Sequence, residues 1–280
     1  MIYKLSLPYR FWFIKFKLVA AGLLLFSVYG QAQNGVTAYP FAGGELIEYK
    51  LNYGWFSIGK GSFHLFANPD CSSGDDCLDV TIKGASSGFL NVFTKVNDEW
   101  GAQVRPEDLL PKFTYRKIEE GRYRHDEKVY FDYAEKSIRV ETFKAHRDSI
   151  PRPPKFYDLE GEEVFDMISG LLKVRTLPLG TYNAGDTLTL KGFFEDTFYD
   201  FQIVHLGKDK IKTKMGKIMT HKLRPIMPDN STFDGKNALM IWISDDDRQM
   251  PVKVTANMFI GKASCEIVSY KMLGQEKLSD

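Results

Sequence analysis

The five residues GASSG, 84–88, come closest in this sequence to a catalytic motif. Their spacing matches the Gly-x-Ser-x-Gly nucleophile elbow, in which the hydroxyl of Ser86 would attack an acyl carbon. Such an elbow joins a parallel strand to a helix, but the residues that follow here, FLNVFTKVNDEW, alternate as another strand does. We therefore interpret Ser86 as part of a bend of small residues and predict no catalytic residue.

Histidines and acidic pairs give no stronger indication of chemistry. Five histidines stand on different segments: His64, His125, His146, His205 and His221. They form no H-x-x-x-H or H-x-H pair, so a zinc site is unsupported. The acidic groups are Glu45 with Glu48, Glu119 with Glu120, and 245–247, and we interpret all of them as lying in turns or on polar faces. Carboxylate-dependent hydrolysis needs two carboxyls across a cleft and stays the least favoured function. No phosphate loop or dinucleotide fingerprint occurs, and we expect no cofactor.

The cysteines indicate an oxidising compartment. Cys71 and Cys77 enclose a short polar loop in NPDCSSGDDCLD, which predicts a disulfide at a hairpin tip. The alternative is a metal loop built from the nearby aspartates Asp70, Asp75, Asp76 and Asp79. Their spacing fits no EF-hand, so we predict no metal site. Cys265, in the alternating stretch KASCEIVSY, indicates a buried thiol that packs as a small hydrophobic residue.

The N-terminal residues 1–32 have the pattern of a secretory signal peptide. Four basic and no acidic residues occupy the first 17 positions, and the apolar run LVAAGLLLFSVYG follows. The alternative, an uncleaved anchor, is disfavoured by the basic residues inside the span. We expect residues 33–280 to form a single β-rich domain in the periplasm or at the periplasmic face of the outer membrane, with no transmembrane segment. The balance of 37 basic and 36 acidic residues excludes a nucleic-acid partner.

Short alternating runs predict strands along most of the chain. Residues 45–53 place Ile47, Tyr49 and Leu51 on one face, and residues 58–66 would return antiparallel through a turn at 54–57. Further strands are predicted at 78–83, 92–104, 112–118, 128–133, 137–143, 187–191, 198–206, 211–213, 217–223, 238–244, 252–259 and 264–271. The segments EEGR, GKDK, PDNSTFDGKN and DDDRQMP are predicted turns. This density of short strands predicts a mainly β fold, a single rolled or half-barrel antiparallel sheet.

One segment has helical periodicity instead. After the proline-rich residues 151–154, which we interpret as an extended linker, GEEVFDMISGLLKVRTL predicts a principal helix at 162–175. We expect this helix to pack on the open face of the sheet. In an alternative role it is a movable lid over a ligand cavity.

Aromatic residues suggest a surface for an apolar ligand. Trp55 and Phe56 occupy the predicted hairpin turn and would either fold back as core or stay exposed to a lipid, a sugar ring or a protein. The candidate ligand-binding residues are Tyr49, Tyr53, Trp55, Phe56, Met167, Leu171 and Trp242.

The C-terminal third resembles a known family. Its segments KIKTKMGKIMTHKLRP, FDGKNALMIWISDDDRQMPV and GKASCEI are similar to the end of the domain of unknown function 3108 family, found in exported bacterial proteins. GELIEYKLNYGWFSIGKGSFHL and VFDMISGLLKVRTLPL are similar to its start and middle, so the likeness spans 44–267. The resemblance implies an envelope protein with one rolled β domain and brings no activity or catalytic residue. Within it, Asp245, Asp246, Asp247 and Arg248 are predicted to form a structural turn.

Three functions are compatible with these sequence features. We favour a non-enzymatic envelope protein that binds a small apolar or amphipathic ligand, such as a lipid or glycolipid, as a carrier or assembly accessory. A curved sheet with a helix across it is similar in outline to outer-membrane lipoprotein carrier proteins. The second is an interaction module for cell-surface polysaccharide or an outer-membrane protein complex, and the third is the hydrolase. An enclosed apolar cavity distinguishes the first from the second.

Overall fold

The computed structural model describes residues 39–41, 43–69, 71, 76–88, 91, 94–143, 152–226, 238–257 and 261–273. The predicted signal peptide, 1–32, and the predicted turn PDNSTFDGKN, 228–237, lie outside these described residues. Within them, no helix combines the length and the apolar character that crossing a membrane requires.

Fourteen strands make up most of the described chain. They are β1 (Glu45–Tyr53), β2 (Phe56–Asn68), β3 (Cys77–Ser86), β4 (Asn97–Val104), β5 (Pro111–Glu120), β6 (Tyr123–Asp132), β7 (Ser137–Phe143), β8 (Lys155–Asp158), β9 (Thr187–Phe194), β10 (Thr197–Thr213), β11 (Gly216–Pro225), β12 (Leu239–Ser244), β13 (Pro251–Asn257) and β14 (Lys262–Met272). One α-helix in the described part, α1 (Met167–Val174), and a 3-10 turn at Leu179–Thr181 lie between β8 and β9.

All fourteen strands belong to one antiparallel sheet. Its order is β8-β7-β6-β5-β4-β3-β2-β1-β14-β13-β12-β11-β10-β9, so the pairing of β1 with β14 joins two meanders. The end strands β8 and β9 do not pair, and the sheet is not closed into a barrel. The predicted fold class, a mainly β, rolled antiparallel sheet with one principal helix, is confirmed.

Alternation along the strands sets the inner face of the sheet. In β6, His125, Glu127, Val129 and Phe131 are buried, and the residues between them are more exposed. In β1, the inward row of Ile47 and Tyr49 begins with Glu45, which is fully buried. The prediction that Glu45 lies on a polar face is therefore wrong, because its position has the same parity as Ile47.

Helix α1 is shorter than the predicted 162–175. Asp166 caps it, since its carboxylate accepts hydrogen bonds from the backbone N–H groups of Ser169 (2.9 Å) and Ile168 (3.1 Å). The hydroxyl of Ser169 accepts from the N–H of Asp166 in return (2.9 Å), which completes a capping box. Phe165 is extended and forms a parallel β-bridge to Gly192 of β9. The chain therefore becomes helical only at Met167.

Other boundaries differ from the sequence-based prediction. GKDK, predicted as a turn, lies inside β10, which continues through an irregularity between His205 and Lys208. Residues 155–158, for which no element was predicted, form the edge strand β8. The first hairpin is present as predicted, but its turn contains only Gly54 and Trp55. A disulfide joins Cys71 and Cys77 beside the start of β3, with 6.0 Å between their Cα atoms, as predicted.

Candidate functional site

Helix α1 lies on the inner face of the sheet, between its two halves. Ile168 and Leu172 pack in a core cluster with inward residues of β1 to β4. Val174 packs in a second cluster with inward residues of β9 to β12, including Leu188 and Leu223. The sheet therefore wraps around the helix, and the spaces beside the helix are the interior of the molecule.

A fully buried ion pair fixes the C-terminal end of α1. The guanidinium of Arg175 donates to both carboxylate oxygens of Glu45, one of them at 3.0 Å. It also donates to the carbonyl oxygens of Gln249 (2.9 Å) and Arg248 (3.1 Å), and it lies 4.5 Å from the ring centroid of Phe41. These contacts compensate a charge that would otherwise be expensive to bury.

A larger apolar recess lies on the β1 to β4 side of α1. Its volume is about 320 Å³, within the range of small-molecule pockets. It is lined by Tyr49, Leu51, Gly61, Ser62, Phe63, Ile82, Lys83, Gly84, Asp98, Trp100, Leu171, Pro251, Val254 and Cys265. Tyr49 spans its base and donates to the carbonyl oxygen of Pro251 (2.9 Å). Burial raises the pKa of Tyr49 well above its ordinary value and raises the pKa of Cys265 to about 12. Both side chains are therefore uncharged parts of the lining at neutral pH.

A smaller apolar recess lies on the other side of the helix. Its volume is about 100 Å³, and it is lined by Asp166, Met167, Gly170, Leu171, Val174, Leu190, Phe201, Ile203, Leu223, Pro225, Leu239 and Ile241. Leu171 lines both apolar recesses and separates them. The carboxyl of Asp166 is a polar exception, and burial raises its pKa despite the two hydrogen bonds that it accepts from the backbone N–H groups of Ile168 and Ser169.

A polar cleft of about 980 Å³ opens beside the larger recess, between β4 to β8 and the β9–β10 turn. In it, Arg116 pairs with Glu127 (2.9 Å) and Glu195 (3.0 Å). Its guanidinium lies over the ring of Phe194 at 5.2 Å. Trp100 stacks on Phe194 with ring centroids 6.1 Å apart and lines both the polar cleft and the larger apolar recess. The larger apolar recess and the polar cleft are therefore adjacent, and Trp100 lines both.

The structure separates the predicted ligand-binding residues into two groups. Tyr49, Met167 and Leu171 line the recesses. Trp55 and Phe56 are 86% and 63% exposed at the tip of the first hairpin and line none of the three spaces described above.

Tyr53 and Trp242 also lie outside the three spaces. Tyr53 is half-buried and covers the backbone of Gly261. Trp242 is buried and donates from Nε1 to Asp209 (3.1 Å), with the Lys222 ammonium 5.3 Å from its ring centroid. Ile241 and Ile243, on either side of Trp242 in β12, pack in the inner cluster, so alternation places the ring of Trp242 on the outer face of the sheet.

The four residues of the predicted structural turn follow β12. The hydroxyl of Ser244 donates to Asp246 (2.6 Å), which also accepts from Arg248 (3.0 Å). Asp247 is exposed at the turn's corner. Because the carbonyl oxygen of Arg248 accepts from Arg175, this turn also supports the buried end of α1.

Asp245 belongs to a chain of polar side chains, with two buried histidines at its inner end, that sequence reasoning missed. Nε2 of His205 lies 3.0 Å from Nδ1 of His221, and Nε2 of His221 lies 2.8 Å from the carboxylate of Asp245, which also accepts from Lys208 (2.6 Å). Since an ionised carboxylate only accepts, His221 donates to Asp245 and accepts from His205. Burial lowers the pKa of His221, whereas the bonds from Lys208 and His221 lower that of Asp245. The bulge in β10 brings the histidines together, and no spacing rule predicts it.

Ser86, the residue nearest to a catalytic motif, ends the antiparallel strand β3. Its hydroxyl accepts a hydrogen bond from the backbone N–H of Val96 (2.7 Å) and contacts Asn91. These contacts hold the chain segment after β3 against the start of β4. Ser86 and the five-residue string around it therefore have a local structural role in the described chain.

The fold and the recesses together define a class of protein: an incompletely closed antiparallel roll with a helix in its interior and apolar space on both sides of that helix. The chain belongs to the family described as "Protein of unknown function (DUF3108)", whose profile matches residues 48–268 and confirms the resemblance noted in the sequence. No curated protein matches the sequence.

Solved structures with a similar fold are distant in sequence. A beta-barrel-like protein of domain of unknown function DUF1849 from Brucella abortus is 9% identical, with a TM-score of 0.52 over 82% of this chain and 97% of that chain. This similarity shows the fold alone. A DUF1329 family protein from Desulfovibrio piger ATCC 29098 is 9% identical over 88% of this chain and 90% of that chain, and its TM-score of 0.21 is too low to support an argument.

Proposed function

We propose that this protein is a non-enzymatic carrier or assembly accessory that binds an apolar or amphipathic molecule, of the lipid or glycolipid class, inside the roll. The observation that supports this most directly is the position of Leu171, a core-facing helix residue with apolar space of about 320 Å³ on one side and about 100 Å³ on the other. Both recesses are partly open to solvent, so their apolar lining is left uncovered in the described chain. A ligand that covers this lining removes apolar surface from water, which favours binding.

The shared wall at Trp100 supports an amphipathic ligand. Its apolar part would occupy the larger recess, and its polar part would enter the cleft at Arg116 and Glu127, where donors and acceptors are both available. The smaller apolar recess has Asp166 as its charged residue, and the larger one has Lys83, which pairs with Glu99 (3.1 Å), and Asp98, which accepts from the backbone N–H of Glu119 (2.9 Å). The ligand would therefore lie with its polar end toward β5 and β6.

Export to the periplasm or to the periplasmic face of the outer membrane is part of the proposal. It is supported by the signal-peptide pattern of residues 1–32 and by the Cys71–Cys77 disulfide, because disulfides persist in oxidising compartments.

Native mass spectrometry of the protein purified gently from its own cells tests the proposal. We expect a stoichiometric adduct that dissociates on denaturation, and extraction would identify it as a lipid or glycolipid. A clean apo mass in repeated detergent-free preparations would contradict the carrier function.

Variants that fill one recess locate the ligand. Val254→Phe fills the larger recess and Ile241→Phe the smaller one, and Met219→Phe is a matched control on an exposed position of β11. We expect V254F to lose most of the adduct at an unchanged unfolding midpoint, with little effect of I241F and none of M219F. Equal adduct in all three variants would place the ligand elsewhere.

A further inference from the structure

The tip of the first hairpin presents two large aromatic side chains to solvent. Trp55 and Phe56 are the most exposed of the aromatic residues near this end of the sheet, and their ring centroids lie 5.5 Å apart. The turn between Tyr53 and Phe56 has only two residues, with Gly54 first at a φ of +56°. Such a tight turn directs its second residue outward, so Trp55 projects beyond the sheet.

On the strands that carry this tip, the charged residues nearest to it are lysines. They are Lys50 on β1, Lys60 on β2 and Lys262 on β14, and Glu266 of β14 lies opposite Lys50 on the other side of β1. Lys50 and Lys60 lie directly opposite each other on neighbouring strands, an arrangement that costs stability. Lys262 lies beside the turn, since its carbonyl oxygen accepts from the N–H of Gly54 (2.9 Å). Lys60 and Lys262 are exposed.

The same tip lies at the shallow end of the larger apolar recess. Tyr49 and Phe63 line the recess and are buried, whereas Leu51, two positions nearer to the tip along β1, is only half-buried. Three residues separate Leu51 from Trp55 along the chain, so their Cα atoms are at most roughly 13 Å apart. The aromatic pair therefore marks the side on which the recess approaches solvent.

We propose that this tip, Trp55 and Phe56 with Lys60 and Lys262 behind them, docks on the surface of an anionic phospholipid bilayer. Indole and phenyl rings insert at the headgroup level, and lysines behind them are attracted to the negative surface. The two ring planes are inclined by 50°, so they do not form the flat platform on which a sugar ring stacks. A small tip with the exposed lysines Lys60 and Lys262 behind it fits a deformable anionic surface. Docking would bring the shallow end of the recess toward the source of the ligand.

Vesicle flotation tests the docking, with each variant purified as the producing cell processes it so that every sample shares the same N-terminus. We expect the wild type to bind phosphatidylcholine vesicles that contain phosphatidylglycerol and not vesicles of phosphatidylcholine alone. Trp55→Ser with Phe56→Ser should weaken this partitioning at least about tenfold, because two large apolar side chains are lost. Lys60→Gln with Lys262→Gln should weaken it by about fivefold per lysine.

Two further variants make the result specific. Phe156→Ser removes another exposed aromatic residue, 67% exposed on the edge strand β8, and should leave vesicle binding unchanged. Trp55→Phe should retain binding and lose the blue shift of indole fluorescence on vesicle addition. Equal vesicle binding by the wild type and the Trp55→Ser, Phe56→Ser variant would overturn the proposal.

Binding that needs Trp55 but is seen only with isolated polysaccharide or protein, and not with vesicles, would also overturn the docking proposal. The native mass of the Trp55→Ser, Phe56→Ser variant separates this proposal from the ligand in the interior. The variant should keep the adduct, because its substituted residues line none of the recesses described above.

Discussion

Helix α1 is held tightly at its C-terminal end and loosely along its flank. At the end, Arg175 is fully buried and bonded to Glu45 and to the carbonyl oxygens of the β12–β13 turn. Along the flank, Met167 and Leu171 border empty apolar space. The two regions are separated by only one or two helical turns. The C-terminal end is fixed by an ion pair and hydrogen bonds, whereas the flank borders unfilled space.

The contacts of Arg175 at the C-terminal end explain how unfilled space can persist beside Met167 and Leu171. An apolar helix that could slide would move into the recess and fill it, because voids cost stability. The Arg175–Glu45 pair allows one position of the helix, since any displacement would leave a buried charge without a partner. The buried pair thus acts as a positional constraint that keeps the recesses open.

Breaking the tight end should have the largest effect. We expect Arg175→Met to lower the free energy of unfolding by about 3–5 kcal/mol, because Glu45 would remain buried without its partner. Urea denaturation followed by far-UV circular dichroism measures this change.

The double variant Glu45→Leu, Arg175→Met is its control. It should recover a substantial part of the loss, because it leaves no unpaired charge, but it should bind less ligand since the helix is no longer held in one place. A double variant as unstable as R175M would show that the carbonyl contacts of Arg175, and not its charge pair, hold the helix end.

Two neighbouring leucines sharpen the comparison. Leu172 is fully buried in the core cluster, so Leu172→Ala should cost about 2–5 kcal/mol. Leu171 already borders both recesses, and Leu171→Ala should cost only about 1–2 kcal/mol, because less packing is lost around it. Equal losses in urea denaturation would mean that the space beside Leu171 is filled in solution.

The fold could be predicted from the sequence because its signals are local. Alternation identified most strands, and the inward side of β1 followed from parity. That same parity places Glu45 inward, a signal that was present and was misread as a polar face. The start of α1 was also encoded, since Asp166 and Ser169 have the spacing of a capping box, but the helical periodicity of the preceding residues outweighed it.

The candidate site could be predicted only in part, because it depends on long-range packing. Tyr49, Met167 and Leu171 were identified from their apolar faces, but the size of the space beside them is set by strands far apart in the sequence. The pairing of Arg175 with Glu45, 130 residues away, and the bulge that joins His205 to His221 have no local signature.

Weakening the N-terminal cap tests whether the tight end alone positions the helix. Asp166→Ala removes two hydrogen bonds to backbone N–H groups and should lower the free energy of unfolding by about 1 kcal/mol. Asp166→Asn, which keeps a capping oxygen, should lose much less. If D166A lowered the free energy of unfolding as much as R175M, both ends of the helix would be fixed equally. The proposed contrast between the C-terminal end and the flank would then be wrong.

The smallest effect concerns the turn that receives Arg175. Burial lowers the pKa of His221 in the folded protein below its ordinary value of 6.5, so the unfolded chain binds this proton more readily. Stability should therefore rise with pH between the lowered pKa and about pH 6.5, and a separate loss should occur below about pH 4, as the depressed pKa of Asp245 is passed. His221→Gln should flatten the first interval and leave the second, as measured by thermal unfolding across pH. Parallel pH profiles of stability for H221Q and the wild type would show that protonation of His221 does not destabilise the turn. The contacts of Arg175 at the end of α1 would then be independent of pH in this range.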